Sequence, residues 1–123
     1  MRKSRRDERG LSNSIQTTLL FPLGLALFLG LLQWALVSWA QATAIAAAQQ
    51  GASVAAVHGA TAGEGRHAAL EAAANGSMTG VAVAVERGAA HTTATVTGRA
   101  VVVVWPREVS GSVMVPTERV TQS

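Results

Sequence analysis

The sequence has no cysteine and no tyrosine, and its only aspartate is Asp7. Without cysteine no disulfide can reinforce a small domain, even though an exported chain would permit one. With no aspartate beyond the first ten residues, a Ser/His/Asp triad is excluded from the rest of the chain, and no motif supports a Ser/His/Glu version. Aromatic side chains are scarce: Phe21, Phe28, Trp34, Trp39 and Trp105. The largest absence is one of charge. From Leu11 to Gly63 there is no Asp, Glu, Lys or Arg, and this silence begins directly after the charged head MRKSRRDERG.

Within the uncharged stretch, Leu19 to Val37 reads LLFPLGLALFLGLLQWALV. At about 1.5 Å of rise per residue it makes a helix roughly 28 Å long, close to the thickness of a bilayer's hydrocarbon core. Its Leu, Phe and Val positions favour insertion by roughly 4 to 7 kcal/mol before Pro22, the glycines and Gln33 are subtracted. The head sets Arg2, Lys3, Arg5, Arg6 and Arg9 against Asp7 and Glu8. Lys and Arg resist translocation, so the head is expected in the cytoplasm and everything after Val37 outside. The expectation is a single-pass membrane protein with a small extracytoplasmic domain.

The high pI comes from the head. Beyond it, Arg66, Arg87, Arg99, Arg107 and Arg119 balance Glu64, Glu71, Glu86, Glu108 and Glu118. That formally neutral part lacks the basic stripe a nucleic-acid surface needs, so no nucleic-acid partner is expected. The head instead suits a topology signal and contact with anionic lipid.

Helical character outlasts the apolar run. Ser38 to Gln50 reads SWAQATAIAAAQQ, so one helix is expected from about Thr17 to Gln50. Pro22 is positioned to bend it. Trp34 and Trp39 fall where an outer interfacial aromatic belt belongs. Small residues recur at spacing four, Ala26 with Gly30 and Ala40 with Ala44 and Ala48. Such spacing lets helices approach closely in a membrane, and in an alanine-rich segment it also arises by chance. Gln33 is either a tolerated amide near the membrane edge or the donor of a cross-helix hydrogen bond.

Gly51 to Gly65 reads as a linker, His67 to Ala74 as a short helix, and Asn75-Gly76 as its left-handed stop. The period then becomes two. Val81, Val83 and Val85 mark a first strand; Thr92 to Trp105 marks a second, with Val101 to Val104 central; Ser112 to Val115 marks a short edge strand. The fold class expected is α+β: a long N-terminal helix, a short helix and a small antiparallel meander. The expected divisions are a leader over 1–10, a transmembrane and juxtamembrane helix over 11–50, and an outer domain over 51–123.

Glu64, His67 and Glu71 share one helical face, with His58 upstream, yet they adjoin glycines and form ordinary solvated pairs with Arg66 equally well. His91, at the start of a strand, reads as exposed. No phosphate-cradling loop is present. Neither an enzyme activity, a metal nor a cofactor is expected.

The head ends in Arg9-Gly10, followed by an uncharged segment and an apolar helix, which is the arrangement of a prepilin leader. Prepilin peptidase would cut after Gly10, leaving Leu11 as the mature first residue. Two alternatives stand beside this: retention without cleavage, and signal-peptidase cleavage at the A-x-A of Ala40-Gln41-Ala42, which would release a soluble binding module. Glu8-Arg9-Gly10, Ser14-Ile15-Gln16, Leu19-Leu20-Phe21-Pro22-Leu23, Gly30-Leu31-Leu32-Gln33-Trp34 and Ala46-Ala47-Ala48-Gln49-Gln50-Gly51-Ala52 together resemble the TadE-like family, minor pseudopilins of tight-adherence (Flp-type) pilus systems. The resemblance covers roughly the first fifty residues. It implies a structural role, the bilayer, other pilin-like or pilus-assembly membrane proteins and prepilin peptidase as partners, and helix packing through Gln16, Pro22, Ala26, Gly30 and Gln33. The family's acidic residue after the cleavage point is Gln16 here, one place further from Gly10. An amide offers a neighbouring subunit's new amino terminus no charge attraction.

Overall fold

The computed structural model describes residues 2–102 and 105–118, with side chains described from Ser14 onward. Helix α1 runs Arg2–Ala56 and helix α2 Ala62–Ala73. Strands β1 (Met78–Arg87), β2 (His91–Ala100) and β3 (Arg107–Pro116) form one antiparallel sheet in the order β1-β2-β3. The α+β architecture expected from the sequence is the one observed.

Several boundaries differ from the sequence reading. The segment read as a linker from Gly51 to Gly65 is mostly helical: α1 continues to Ala56 and α2 already begins at Ala62. The start of α2 is fixed by Thr61, whose extended backbone and side-chain oxygen, accepting from the Glu64 amide at 3.2 Å, form an N-cap. The second strand ends at Ala100, so Val101 and Val102 lie beyond it, while Val103 and Val104 fall outside the described residues. The edge strand is longer than expected, ten residues from Arg107 to Pro116. The stop at Asn75-Gly76 is present: Gly76 has φ +82°, and the Asn75 Oδ1 accepts from both the amide and the hydroxyl of Ser77.

The domain is two layers, with the upper part of α1 and all of α2 beneath the sheet. Along α1, Ala40, Ala44, Ala47, Ala48, Ala52 and Ala55 are each fully buried. Alternation along β2 turns Thr92, Ala94, Val96, Gly98 and Ala100 inward, and Val109 and Gly111 of β3 join them. Large side chains are rare in this core, so cohesion comes from close backbone approach. A Cβ on Gly65 would lie 2.5 Å from both the Ala55 Cβ and the Gly51 carbonyl oxygen, and one on Gly111 would lie 2.6 Å from the Ala44 backbone. The glycines read as helix breakers are thus what lets α2 lie against α1, and Gly111 does the same for β3. Ala40, Ala44 and Ala48, whose spacing left open either close helix packing in a membrane or chance, are buried within the chain's own core.

Candidate functional site

Below the domain α1 stands bare. Leu19, Phe21, Leu23, Leu27, Phe28 and Leu31 are all at least 60 % exposed, the reverse of what a water-soluble helix tolerates. The helix from Ser14 to Ala56 is long and apolar enough to cross a membrane, and none of its most apolar window is buried by the rest of the chain. Gln16, Pro22, Ala26 and Gly30 all lie in this exposed stretch. A Cβ placed on Gly24 or Gly30 meets nothing within 4 Å, so their small size leaves an open notch in the surface. Thr18 returns its hydroxyl to the Ser14 carbonyl at 2.7 Å, which satisfies the group inside the helix without an outside partner. The peptide joining Gly10 to Leu11 lies within the backbone span of α1.

Gln33 is different. Its Nε2 donates to the Trp105 carbonyl at 3.1 Å, so its amide is tied to the domain of the same chain, a link no local pattern could have revealed. Eight residues on, the Gln41 Nε2 donates to the Ser110 carbonyl at 2.6 Å. Gly111 then abuts Ala44, and the Glu118 amide donates to the Ala56 carbonyl at 2.8 Å. Strand β3 therefore climbs alongside α1 in the same direction, anchored near its lower end, its middle and its top. An open groove of about 500 Å³ runs between them, lined by Trp34, Ser38, Gln41 and Ile45 of α1 with Arg107 and Val109 of β3.

The top of α1 is closed by a residue the sequence reading placed only at a turn. The Arg87 guanidinium donates to the Ala55 carbonyl at 2.8 Å and the Val57 carbonyl at 3.3 Å, satisfying acceptors a helix end leaves open. At the other end of α2, Asn75 Nδ2 donates to the Thr43 hydroxyl at 2.8 Å, fixing the α2–β1 turn to α1. The Thr61-x-x-Glu64 spacing was a readable capping signal; the long-range partners of Arg87 and Asn75 had none.

Of the polar cluster on α2, His67 and Glu71 meet at 3.0 Å with both side chains about 70 % exposed, as a solvated i,i+4 pair does. Among the described residues, Glu64, His67 and Glu71 are not brought together as a metal-binding group.

The geometry thus isolates one unusual feature, a bare apolar helix continuous with the spine of a small domain. Residues 14–53 match the family of TadE-like protein. The TadE-like match therefore covers the exposed apolar segment and the buried alanines from Ala40 to Ala52, and stops three residues before α1 ends. It agrees with the resemblance read from the sequence. No curated protein and no solved structure matches the chain.

Proposed function

We propose that this chain is a pseudopilin-like structural or assembly component of a tight-adherence pilus or a related secretion system. It works through its helix. The observation carrying this reading is that the family match falls on α1, whose lower half offers an uncovered apolar surface with small-residue notches at Gly24, Ala26 and Gly30. In a bilayer that surface is solvated by acyl chains, and helices with small-residue notches associate there through close packing. The head stays in the cytoplasm and the sheet is displayed outside. Prepilin peptidase removes the leader after Gly10; Leu11 becomes the first residue, and Gln16 supplies a hydrogen bond where the family's acid would supply a charge. No catalytic group is involved.

A second reading keeps the leader and makes the chain a permanent membrane accessory of the assembly machine; Gln16 is the feature that favours it. Release after Ala42 is opposed by packing, because Ala40 is fully buried and Gln41 holds Ser110, so the cut would remove part of the domain's own support.

The deciding measurement is intact mass with amino-terminal sequencing of protein extracted from its native membrane. A start at Leu11 is expected. A start at Met1 would establish the uncleaved accessory instead, and a soluble product starting at Thr43 would overturn both membrane readings.

A further inference from the structure

The chain's three tryptophans are Trp34, Trp39 and Trp105, and the last is far away in sequence. The fold removes that distance. The Trp105 carbonyl is held by Gln33, which lies four residues, or about 6 Å, below the end of the apolar run at Val37. Since the run as a whole matches the hydrocarbon core, that level lies just inside the core's outer edge, one helical turn from the headgroups, within reach of an interfacial indole. By contrast the α2–β1 turn is tied to Thr43, ten residues or about 15 Å higher. The entry to β3 thus reaches further down the helix than that turn does.

What it carries there suits that depth. Trp105 is 61 % exposed and Val101 is 42 % exposed, both apolar surfaces left uncovered by the domain. Trp34, 70 % exposed, stands one residue from Gln33 on the helix. Arg99 at the end of β2 and Arg107 at the start of β3 flank the connector, both exposed, with Glu108 opposite Arg99 in the strand register. An exposed indole backed by arginines at the edge of an apolar segment is the composition of a membrane–water interface.

We propose that Trp105 and its flanking arginines form a second membrane contact, seating the domain on the phospholipid headgroup region of the bilayer that α1 crosses. Trp105 lies in the interfacial layer beside Trp34, and Arg99 and Arg107 face lipid phosphates. A domain joined to its anchor by one continuous helix and also resting on the bilayer has a fixed tilt, so every copy presents the same side to its neighbours. The proposal rests on α1 crossing the bilayer, and it holds for either orientation of the chain.

The test uses the full chain in phosphatidylethanolamine/phosphatidylglycerol vesicles with two single-tryptophan variants. One carries Trp34→Phe and Trp39→Phe and keeps Trp105; the other carries Trp39→Phe and Trp105→Phe and keeps Trp34. The replaced side chains are exposed, and circular dichroism checks that the helix and sheet contents are retained. Fluorescence is read against lipids carrying a spin-label quencher near the headgroup or deep in the acyl chain. The expected result is blue-shifted Trp105 emission that loses more intensity to the shallow quencher than to the deep one, with Gln33→Ala reducing that loss. Quenched Trp34 with water-like, unquenched Trp105 would overturn the second contact while leaving the anchor intact. If neither tryptophan is quenched, α1 is not in lipid, and the anchor reading falls together with the proposal.

Discussion

The two halves of α1 obey opposite rules. From Leu19 to Leu32 most side chains are large, apolar and exposed; from Ala40 to Ala55 the face turned to the sheet and α2 is small and buried. One continuous helix therefore meets two environments. A large exposed apolar surface is stable only where the solvent is itself apolar, so the lower half is built for lipid or for other helices. The upper half buries little area per residue and gains cohesion from the number of close contacts that glycine and alanine allow. The lower half is thus specified by composition, which tolerates exchange of one apolar residue for another. The upper half is specified by shape, which does not.

The sharpest way to break this comparison is to attack the lower half alone. Leu27→Arg sits in the middle of the apolar run, at a position 67 % exposed. Exchanging Leu for Arg at a helix centre costs about 3 to 4 kcal/mol of insertion, a large part of the favourable total. The variant is expected to be lost from the carbonate-resistant membrane fraction while the domain keeps its protease resistance. Unchanged membrane partition would show that the apolar run is not the anchor.

The converse attack leaves the anchor alone. Gly111→Val places a branched side chain where even a Cβ would sit 2.6 Å from the α1 backbone at Ala44. Neither backbone can yield without parting the sheet from its helix, so the expected cost is about 3 kcal/mol. Thermal unfolding in detergent should shift to a lower temperature or vanish, with membrane partition unaltered. An unshifted transition would mean that β3 does not lie against α1 in this way.

What could be read from the sequence divides along the same line. The apolar run, the basic head and the alternating valines of β1 are signals of composition and period, and each was visible locally. The glycines behave differently in the fold than in the sequence, for a physical reason. In isolation Gly51 and Gly65 weaken a helix and suggest a linker; opposite each other they are what two backbones in contact require, and only the fold places them opposite. The apolar run Val101 to Val104 suggests a central strand, but β2 ends at Ala100 and β3 begins only at Arg107. Gln33 was recognised as unusual from its polar side chain in an apolar run. Its partner is 72 residues away, beyond the reach of any periodicity.

The smallest effect sharpens the comparison at the far end of the helix. Arg87 reaches from the end of β1 to the Ala55 and Val57 carbonyls, supplying the cation that the last turn of α1 does not contain. Because Arg87 is exposed, water offers those carbonyls an alternative, and Arg87→Met should cost only about 1 kcal/mol. The loss should also be local. Hydrogen exchange is expected to quicken at the amides of the last turn before Ala56, where the carbonyls lose their fixed partner and the helix frays. The Gln41–Ser110 contact and the buried alanines from Ala40 to Ala48 lie one or more turns below and keep their protection, and the bare lower half is indifferent. Quickened exchange throughout the domain would instead make Arg87 a global tie between β1 and α1. Upper α1 would then depend on a charge as well as on shape.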